Sequence, residues 1–236
     1  GHNWTRAILG LRAEEIHLCM APEAESIITQ MIKRCGDQYR VVRHKRNTRL
    51  TVERQPYSLK NDLKKGDALI VFSKKSVLAL AAHLEGQGVQ CSVIYGSLPP
   101  ATRREQVRRF LAKETDIVVS TDAIGMGLNL PIRRIVFVET QKFDGVSKRD
   151  LEPGEIKQIA GRAGRFGIYE EGFVAAIDHI DLIEDGLGRM PIPIMKAFIG
   201  FPEQLLSLPA DIDGLIKIWA GMDAPPLYQK MEVDEL

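Results

Sequence analysis

The sequence predicts an α/β fold: a mostly parallel sheet with helices on both faces, followed by a C-terminal helical appendage. Three observations carry this expectation. Between Gly66 and about residue 180, short apolar runs alternate with stretches of helical period. Those runs are continuous rather than alternating, as in parallel strands buried on both faces. Beyond residue 180 they stop, and Pro191, Pro193, Pro202, Pro209, Pro225 and Pro226 punctuate short amphipathic stretches.

Taken in order, residues 14–20 (Glu-Glu-Ile-His-Leu-Cys-Met) read as a strand. A helix follows Pro22, with Ile27, Ile28, Met31 and Ile32 on one face and Gly36 as its stop. Residues 38–65 are polar and basic, with strand-like fragments at Val41-Val42 and Leu50 to Val52, and read as a linker. Ala68 to Phe72 is the first buried strand, followed by a helix through Val77, Leu78, Leu80, Ala81 and Leu84 that ends at Gly86 and Gly88. Cys91 to Tyr95 is the second strand. Pro99 and Pro100 suit the first turn of the next helix, which carries Val107, Phe110 and Leu111. Ile117 to Val119 and Ile135 to Val138 are strands three and four; a helix near 154–162 precedes a last strand at Phe173 to Ile177. Alternation of this kind gives a doubly wound sheet. In the appendage, Ile212, Leu215, Ile216 and Trp219 mark a helix, and the sequence reads there as truncated.

Composition excludes several classes. With 44% hydrophobic and 27% charged residues the chain reads as globular. It holds nothing near the roughly 20 apolar residues of a membrane span, and Gly1-His2-Asn3-Trp4 does not open a signal peptide. Cys19, Cys35 and Cys91 are far apart, so neither a disulfide framework nor a zinc site is expected, and a reducing compartment is. The five histidines are scattered and read as structural. The net charge of +1 points to no polyanionic partner. Local clusters do exist: Arg40, Arg43, Lys45, Arg46 and Arg49, then Arg103, Arg104, Arg108 and Arg109, and an acidic tail from Glu232 to Glu235. Each is open to two readings, a solvated face or a binding stripe.

Ligands of an open parallel sheet bind beyond the carboxyl ends of its strands. Those ends carry Ser73-Lys74-Lys75-Ser76, Gly96-Ser97-Leu98, Ser120-Thr121-Asp122-Ala123-Ile124-Gly125-Met126-Gly127-Leu128-Asn129, and Glu139-Thr140. Hydroxyls and glycines of this kind suit phosphate oxygens, although turns select the same residue types. Gly125-x-Gly127 imitates a dinucleotide fingerprint but fails it. Leu130 stands at the third glycine, and Pro131 leaves no room for the helix that holds a pyrophosphate. A nucleotide-dependent oxidoreductase is thereby set aside. Nor does the chain contain a G-x-x-x-x-G-K-[ST] loop or an acidic cluster after an apolar strand. The most informative segment is Gln158-Ile159-Ala160-Gly161-Arg162-Ala163-Gly164-Arg165. Arg162 and Arg165 stand at helical i, i+3 spacing, projecting two bidentate guanidiniums to one side, with glycines beside them that leave the surface open. This is an arginine-finger pattern for a nucleotide held by another surface.

Ser120–Leu130 and Gln158–Arg165 resemble motifs V and VI of superfamily-two helicases, Ala68 to Ser73 resembles motif IV, and Gly96-Ser97-Leu98-Pro99 with Arg103 and Phe110 resembles the segment before motif V. More closely, Trp4-Thr5-Arg6-Ala7, Glu15-Ile16-His17-Leu18-Cys19, Tyr95 to Pro100, Asp122 to Leu130 and Gln158 to Phe166 resemble the suppressor-of-Var-three family, DExH RNA helicases of the mitochondrial degradosome and their bacterial relatives. The likeness spans nearly the whole chain, more loosely after residue 180.

That resemblance implies a division into parts: 1–37 as the end of a first RecA-like domain, 38–65 as linker, 66–180 as a second RecA-like domain, and 181–236 as the start of a helical region. It implies ATP and Mg2+ as cofactors, with the phosphate and magnesium ligands upstream. Arg162 and Arg165 would reach the β/γ-phosphates, Gln158, Gly127 and Asn129 would border the nucleotide, and Ser73, Gly96, Ser120 and Thr121 would face a single-stranded RNA backbone. Motif VI often has arginine after its leading glutamine; Ile159 stands there and receives no role. The implied partners are RNA, the upstream RecA-like domain and an exoribonuclease such as polynucleotide phosphorylase, with no membrane. The implied location is intracellular: mitochondrial matrix in a eukaryote, cytoplasm in a bacterium. A non-catalytic RNA-binding or scaffold module with the same fold is the alternative.

Overall fold

The computed structural model describes residues 2–202, 205, 207–209 and 211–231; Gly1 and the acidic tail Glu232 to Glu235 lie outside them. The chain divides into two compact units, His44–Arg189 and Gly1–Arg43 with Met190–Leu236.

Helix α1 spans His2–Gly10. Residues 14–20, predicted as a strand, form none: a strand needs a ladder of paired backbone groups, and no described strand pairs with this segment. A short turn of 3-10 helix, Pro22–Ala24, leads into α2, Glu25–Cys35. Ile27 and Met31 are its buried residues, and Gly36 ends it in the left-handed conformation that glycine adopts without penalty.

In the larger unit the elements run β1 (Arg49–Val52), β2 (Asp67–Ile70), α3 (Lys74–Gly86), β3 (Cys91–Ile94), α4 (Pro100–Leu111), β4 (Ile117–Ser120), β5 (Arg134–Phe137), β6 (Gln141–Phe143), β7 (Lys148–Asp150), α5 (Pro153–Ala160), β8 (Glu171–Ala176) and α6 (Ile180–Gly188). Six strands form one sheet in the order β1-β8-β5-β2-β4-β3, every pair of them parallel. The continuous apolar runs have a direct structural cause. Within β2, Ala68 and Ile70 point into one core while Leu69 points into the other. The same alternation separates Ile135 and Phe137 from Val136 in β5. The first core is closed by Phe110 of α4, Ile156 and Ile159 of α5 and Ile183 of α6. The second is closed by Val77, Ala81 and Leu84 of α3. Helices therefore cover both faces.

Two features depart from the predicted layout. The strand-like fragment Leu50 to Val52, read as lying in a linker, belongs to a strand of the main sheet: β1 pairs in register with β8, Leu50 beside Gly172 and Val52 beside Val174. The segment after it is pinned by a buried ion pair. Arg134 Nη2 donates to Asp67 at 2.7 Å, Nη1 to Glu53 at 2.9 Å, and the Tyr57 hydroxyl donates to Asp67 at 2.8 Å. The unit also runs beyond residue 180, because α6 buries Ile183 completely.

In the smaller unit the strands do not stop after residue 180. β9 (Ala197–Ile199) pairs in parallel with β10 (Tyr228–Lys230), on either side in sequence of α7 (Ile212–Gly221). Each strand is only three residues long, too short for a recognisable period. Asp211 caps α7 through the Gly214 amide at 2.7 Å. At its other end Lys230 donates to the carbonyls of Trp219, Ala220 and Met222, groups that a helix leaves unpaired.

Candidate functional site

The site is assembled where β4 leaves the sheet and where α5 ends. β4 stops at Ser120, and the Thr121 side chain accepts from the Ala123 amide at 3.2 Å to open a 3-10 turn, Asp122–Gly125. The loop passes through Gly127 with a positive φ of 65° and returns to the core at Leu130, which is buried. Gln158 packs against this loop: a methyl group added at Gly125 would come within 3.1 Å of its side chain.

Helix α5 begins at Pro153, with the Glu155 carboxylate accepting from the Glu152 amide at 2.9 Å. Burial pushes the Glu155 carboxyl up, but hydrogen bonds from Arg149, Lys142 and the Glu152 amide outweigh it and hold it at about 2. Lys142, on β6, bridges Glu155 at 2.7 Å and Asp122 at 3.2 Å. A small cleft among Asp122, Met126, Lys142, Glu155, Gln158 and Ile159 results.

Arg162 and Arg165 are not on the helix, contrary to the helical spacing read from the sequence. α5 ends at Ala160, and Gly164 takes a φ of +70° that no helix contains. A methyl group there would lie 2.6 Å from the Gly172 amide nitrogen and 2.7 Å from Thr48 Cγ2. Yet the two arginines still converge, because the loop after β4 receives both. Arg162 donates to the carbonyls of Gly125 and Leu128, and Arg165 to that of Asn129 at 3.1 Å.

A third guanidinium completes the cluster. Arg46 donates to the carbonyls of Thr48 (2.7 Å), Gly161 (2.8 Å) and Ala163. Sequence reasoning placed it only in a basic stretch; its carbonyl partners exist only once the chain has folded. Arg46, Arg162 and Arg165 share an open cleft of about 220 Å³ with Asn129 and Phe166, and none of its lining residues is acidic.

The predicted residues thus separate into groups. Arg162, Arg165 and Asn129 share the cleft. Gln158 borders the neighbouring cleft across Gly125, and Gly127 shapes the loop. Ser73, Gly96 and Thr121 follow β2, β3 and β4, which are neighbours in the sheet. Ser73 caps α3, accepting from the Ser76 amide at 2.9 Å, and the Gly96 carbonyl accepts from Arg103 at 2.9 Å; both residues are exposed. Thr121 is itself buried, its hydroxyl oxygen accepting from the Ala123 amide, and Ser120 requires correction. It is fully buried and its hydroxyl donates to the Thr121 carbonyl, so as the last residue of a covered strand it does not present that hydroxyl to solvent. Among the described residues no group of three or more His, Cys, Asp or Glu is placed to hold a metal ion.

Residues 52–167 match the family model of the helicase conserved C-terminal domain, and residues 1–44 match that of the DEXQ-box helicase domain of Suv3. The chain belongs to the Suv3 helicase family. Among relatives, the mitochondrial ATP-dependent RNA helicase SUV3 of Candida albicans is 44% identical over 187 residues, 78% of this chain and 26% of that protein. The mitochondrial ATP-dependent RNA helicase SUPV3L1 of Homo sapiens is 40% identical over 207 residues, covering 84% and 26% respectively. The chain therefore spans about a quarter of the length of these Suv3-family relatives. A solved structure of an S. cerevisiae Dbp5 variant bound to RNA and ADP BeF3 aligns with a TM-score of 0.50 at 16% identity, over 71% of this chain and 48% of that one. The sheet is the RecA-like arrangement of helicase C-terminal domains.

Proposed function

We propose that this chain is the second motor domain, with flanking segments, of an ATP-dependent RNA helicase. Arg162 and Arg165 meet the β/γ-phosphates of ATP held by a first RecA-like domain upstream. The observation that carries this reading is the convergence of three guanidiniums on one open cleft free of acidic lining. A guanidinium has five N–H donors. Arg162 gives two to loop carbonyls and Arg165 one, so both keep donors for phosphate oxygens while being held in place. Asn129 and Gly127 border the nucleotide with them, and Gln158 supports it from α5. Residues 1–37 are assigned to the end of the first RecA-like domain, a reading supported by the match of residues 1–44.

On the other side of the loop, Ser73, Gly96 and Thr121 form part of a track for the backbone of single-stranded RNA. Contacts of that kind are tolerant of sequence and weaken with salt. The carbonyls gripped by the arginines belong to the loop that also carries Thr121, so a pull on the guanidiniums from phosphate is felt at the RNA edge. If the chain is eukaryotic, a mitochondrial matrix location is supported by the naming of its relatives; in a bacterium the location is the cytoplasm. No P-loop motif occurs in this sequence, and this chain alone is expected to be inert.

The test is RNA-stimulated ATP hydrolysis by this chain and by the same chain extended through its natural upstream sequence. Turnover is expected only from the extended protein. Arg165→Ala should lower it on the order of 10³-fold or more, the scale of an arginine finger, with RNA binding retained. Undiminished turnover in Arg165→Ala would refute the assignment. An extended protein that binds RNA but never turns over would instead be a scaffold.

A further inference from the structure

We infer that Arg46 is the positioning residue of the arginine pair: it fixes the backbone on both sides of Arg162, and so aims the guanidiniums rather than contacting phosphate itself. The inference rests on the proposed role of Arg162 and Arg165. The carbonyls that Arg46 receives belong to Gly161 and Ala163, the residues immediately before and after Arg162. The Gly161 carbonyl belongs to the peptide plane that enters Arg162 and the Ala163 carbonyl to the plane one residue beyond, so the fork confines the short stretch of backbone from which the Arg162 side chain leaves, with only two soft dihedrals per residue. The amides of Arg162 and Ala163 are tied within the turn to the Ile159 and Ala160 carbonyls, and the carbonyls of Gly161 and Ala163 are met by Arg46. Helix α5 has ended at Ala160, and the last carbonyls of a helix have no partners within it. Nearby, the Gly164 amide donates to the Ile132 carbonyl at 2.8 Å, which anchors the far end of the turn to the core. Arg46 grips the carbonyl of that same Ala163–Gly164 peptide and, at the near end of the turn, the Gly161 carbonyl.

Geometry also explains why the residue is an arginine. Nη1 and Nη2 serve Gly161 and Ala163, while Nε reaches back to Thr48 at 2.7 Å. Three of the five donors are thus taken by carbonyls, and one rigid fork spans two acceptors that a lysine ammonium cannot bridge in the same planar geometry. Thr48, buried, packs against Gly164, so the fork itself is braced against the turn that it holds. A catalytic group displaced by about 1 Å costs on the order of 10²-fold in rate. The consequence of losing the fork therefore falls on turnover rather than on ligand affinity.

The test uses the protein extended through its natural upstream sequence, with wild type, Arg46→Ala, Arg46→Lys and Arg165→Ala compared side by side. Steady-state ATP hydrolysis at saturating single-stranded RNA gives kcat and KM; RNA affinity and thermal melting are measured on the same samples. Arg46→Ala is expected to lower kcat about 10- to 100-fold, with KM for ATP and RNA affinity within about threefold of wild type. Arg46→Lys should recover only part of the loss, since it restores charge without the fork. Should Arg46→Ala be unfolded at the assay temperature, Arg46→Lys alone is read, with at least a fivefold loss of kcat expected. The inference is overturned if kcat stays within twofold of wild type. It is equally overturned if kcat, RNA affinity and melting temperature fall together, which marks a general loosening. If Arg165→Ala retains full turnover, it is the reading of the arginine pair that fails; if Arg165→Ala is silent and Arg46→Ala is not, only the role of Arg46 fails.

Discussion

At Gly164 the absence of a side chain is a structural requirement. Its φ of +70° lies in the left-handed region, and an added methyl group would meet the Gly172 amide at 2.6 Å and Thr48 Cγ2 at 2.7 Å. The first obstacle is backbone, which cannot swing away. Gly172 is reciprocal: a methyl there would sit 2.6 Å from the backbone of Ala163 and Gly164. Two glycines, one on the arginine turn and one on β8, therefore let two backbone segments touch. Strain in the left-handed region and overpacking each cost about 1–3 kcal/mol. Gly164→Ala should destabilise by about 3 kcal/mol and lower the melting temperature of the larger unit by about 10 °C, with turnover of the extended protein falling as the turn shifts. A melting temperature within 2 °C of wild type would show that the turn relaxes without cost. The sequence marks Gly164 as unusual but misplaces the reason, since a glycine beside two arginines reads as clearing a helix surface. What Gly164 clears is β8, a contact between segments that only the folded sheet brings together.

Legibility at the level of elements followed the number of faces that an element buries. β2, β4 and β5 bury every residue, and their unbroken apolar runs marked them in the sequence. β1, with its exposed first residue, shows in the sequence only as the strand-like fragment Leu50 to Val52 within a basic stretch. β6 and β7 (Gln-Lys-Phe and Lys-Arg-Asp) were not legible at all, because charge rather than apolar burial fixes them. Their hairpin is tied to α5 through Lys142 and Arg149, both of which grip Glu155. That tie has a pH signature. The Glu155 carboxyl lies at about 2 against an ordinary value of 4.5. A depressed carboxyl contributes stability that is fully present above 4.5 and is lost as pH falls through about 2. Urea unfolding of wild type and Glu155→Gln should therefore show a clear stability difference in favour of wild type at pH 6 that shrinks at pH 3. An equal difference at both values would mean that the ionised carboxylate contributes nothing to the hairpin.

Across the whole molecule, the question is which part folds by itself. The buried residues of both apolar cores lie between Tyr57 and Ile183, with the partly buried Leu50 and Leu187 packed against the first, all inside the unit His44–Arg189. A protein of these 146 residues is of ordinary domain size. Its first nine residues add Arg46, Thr48 and all of β1, which close the arginine turn and cover the edge of β8. The polypeptide 44–189 is therefore expected to melt as one cooperative transition with intact near-UV dichroism. A version starting at Glu53 is a sharper probe. It keeps every buried residue of the two clusters, yet it strips from β8 the pairing of Arg49 through Val52 and from the first core the packing of Leu50, and a bare strand edge invites association. It should melt at least several degrees lower and self-associate, while 44–189 stays monomeric. If the two polypeptides melted alike and both stayed monomeric, β1 would be a passenger on the sheet, and the boundary read from composition near residue 66 would be closer to the true limit of the folding unit than His44. If 44–189 failed to melt cooperatively, the cores would be insufficient without the smaller unit, and the sequence between Gly66 and residue 180 would define the shape of a domain but not its stability.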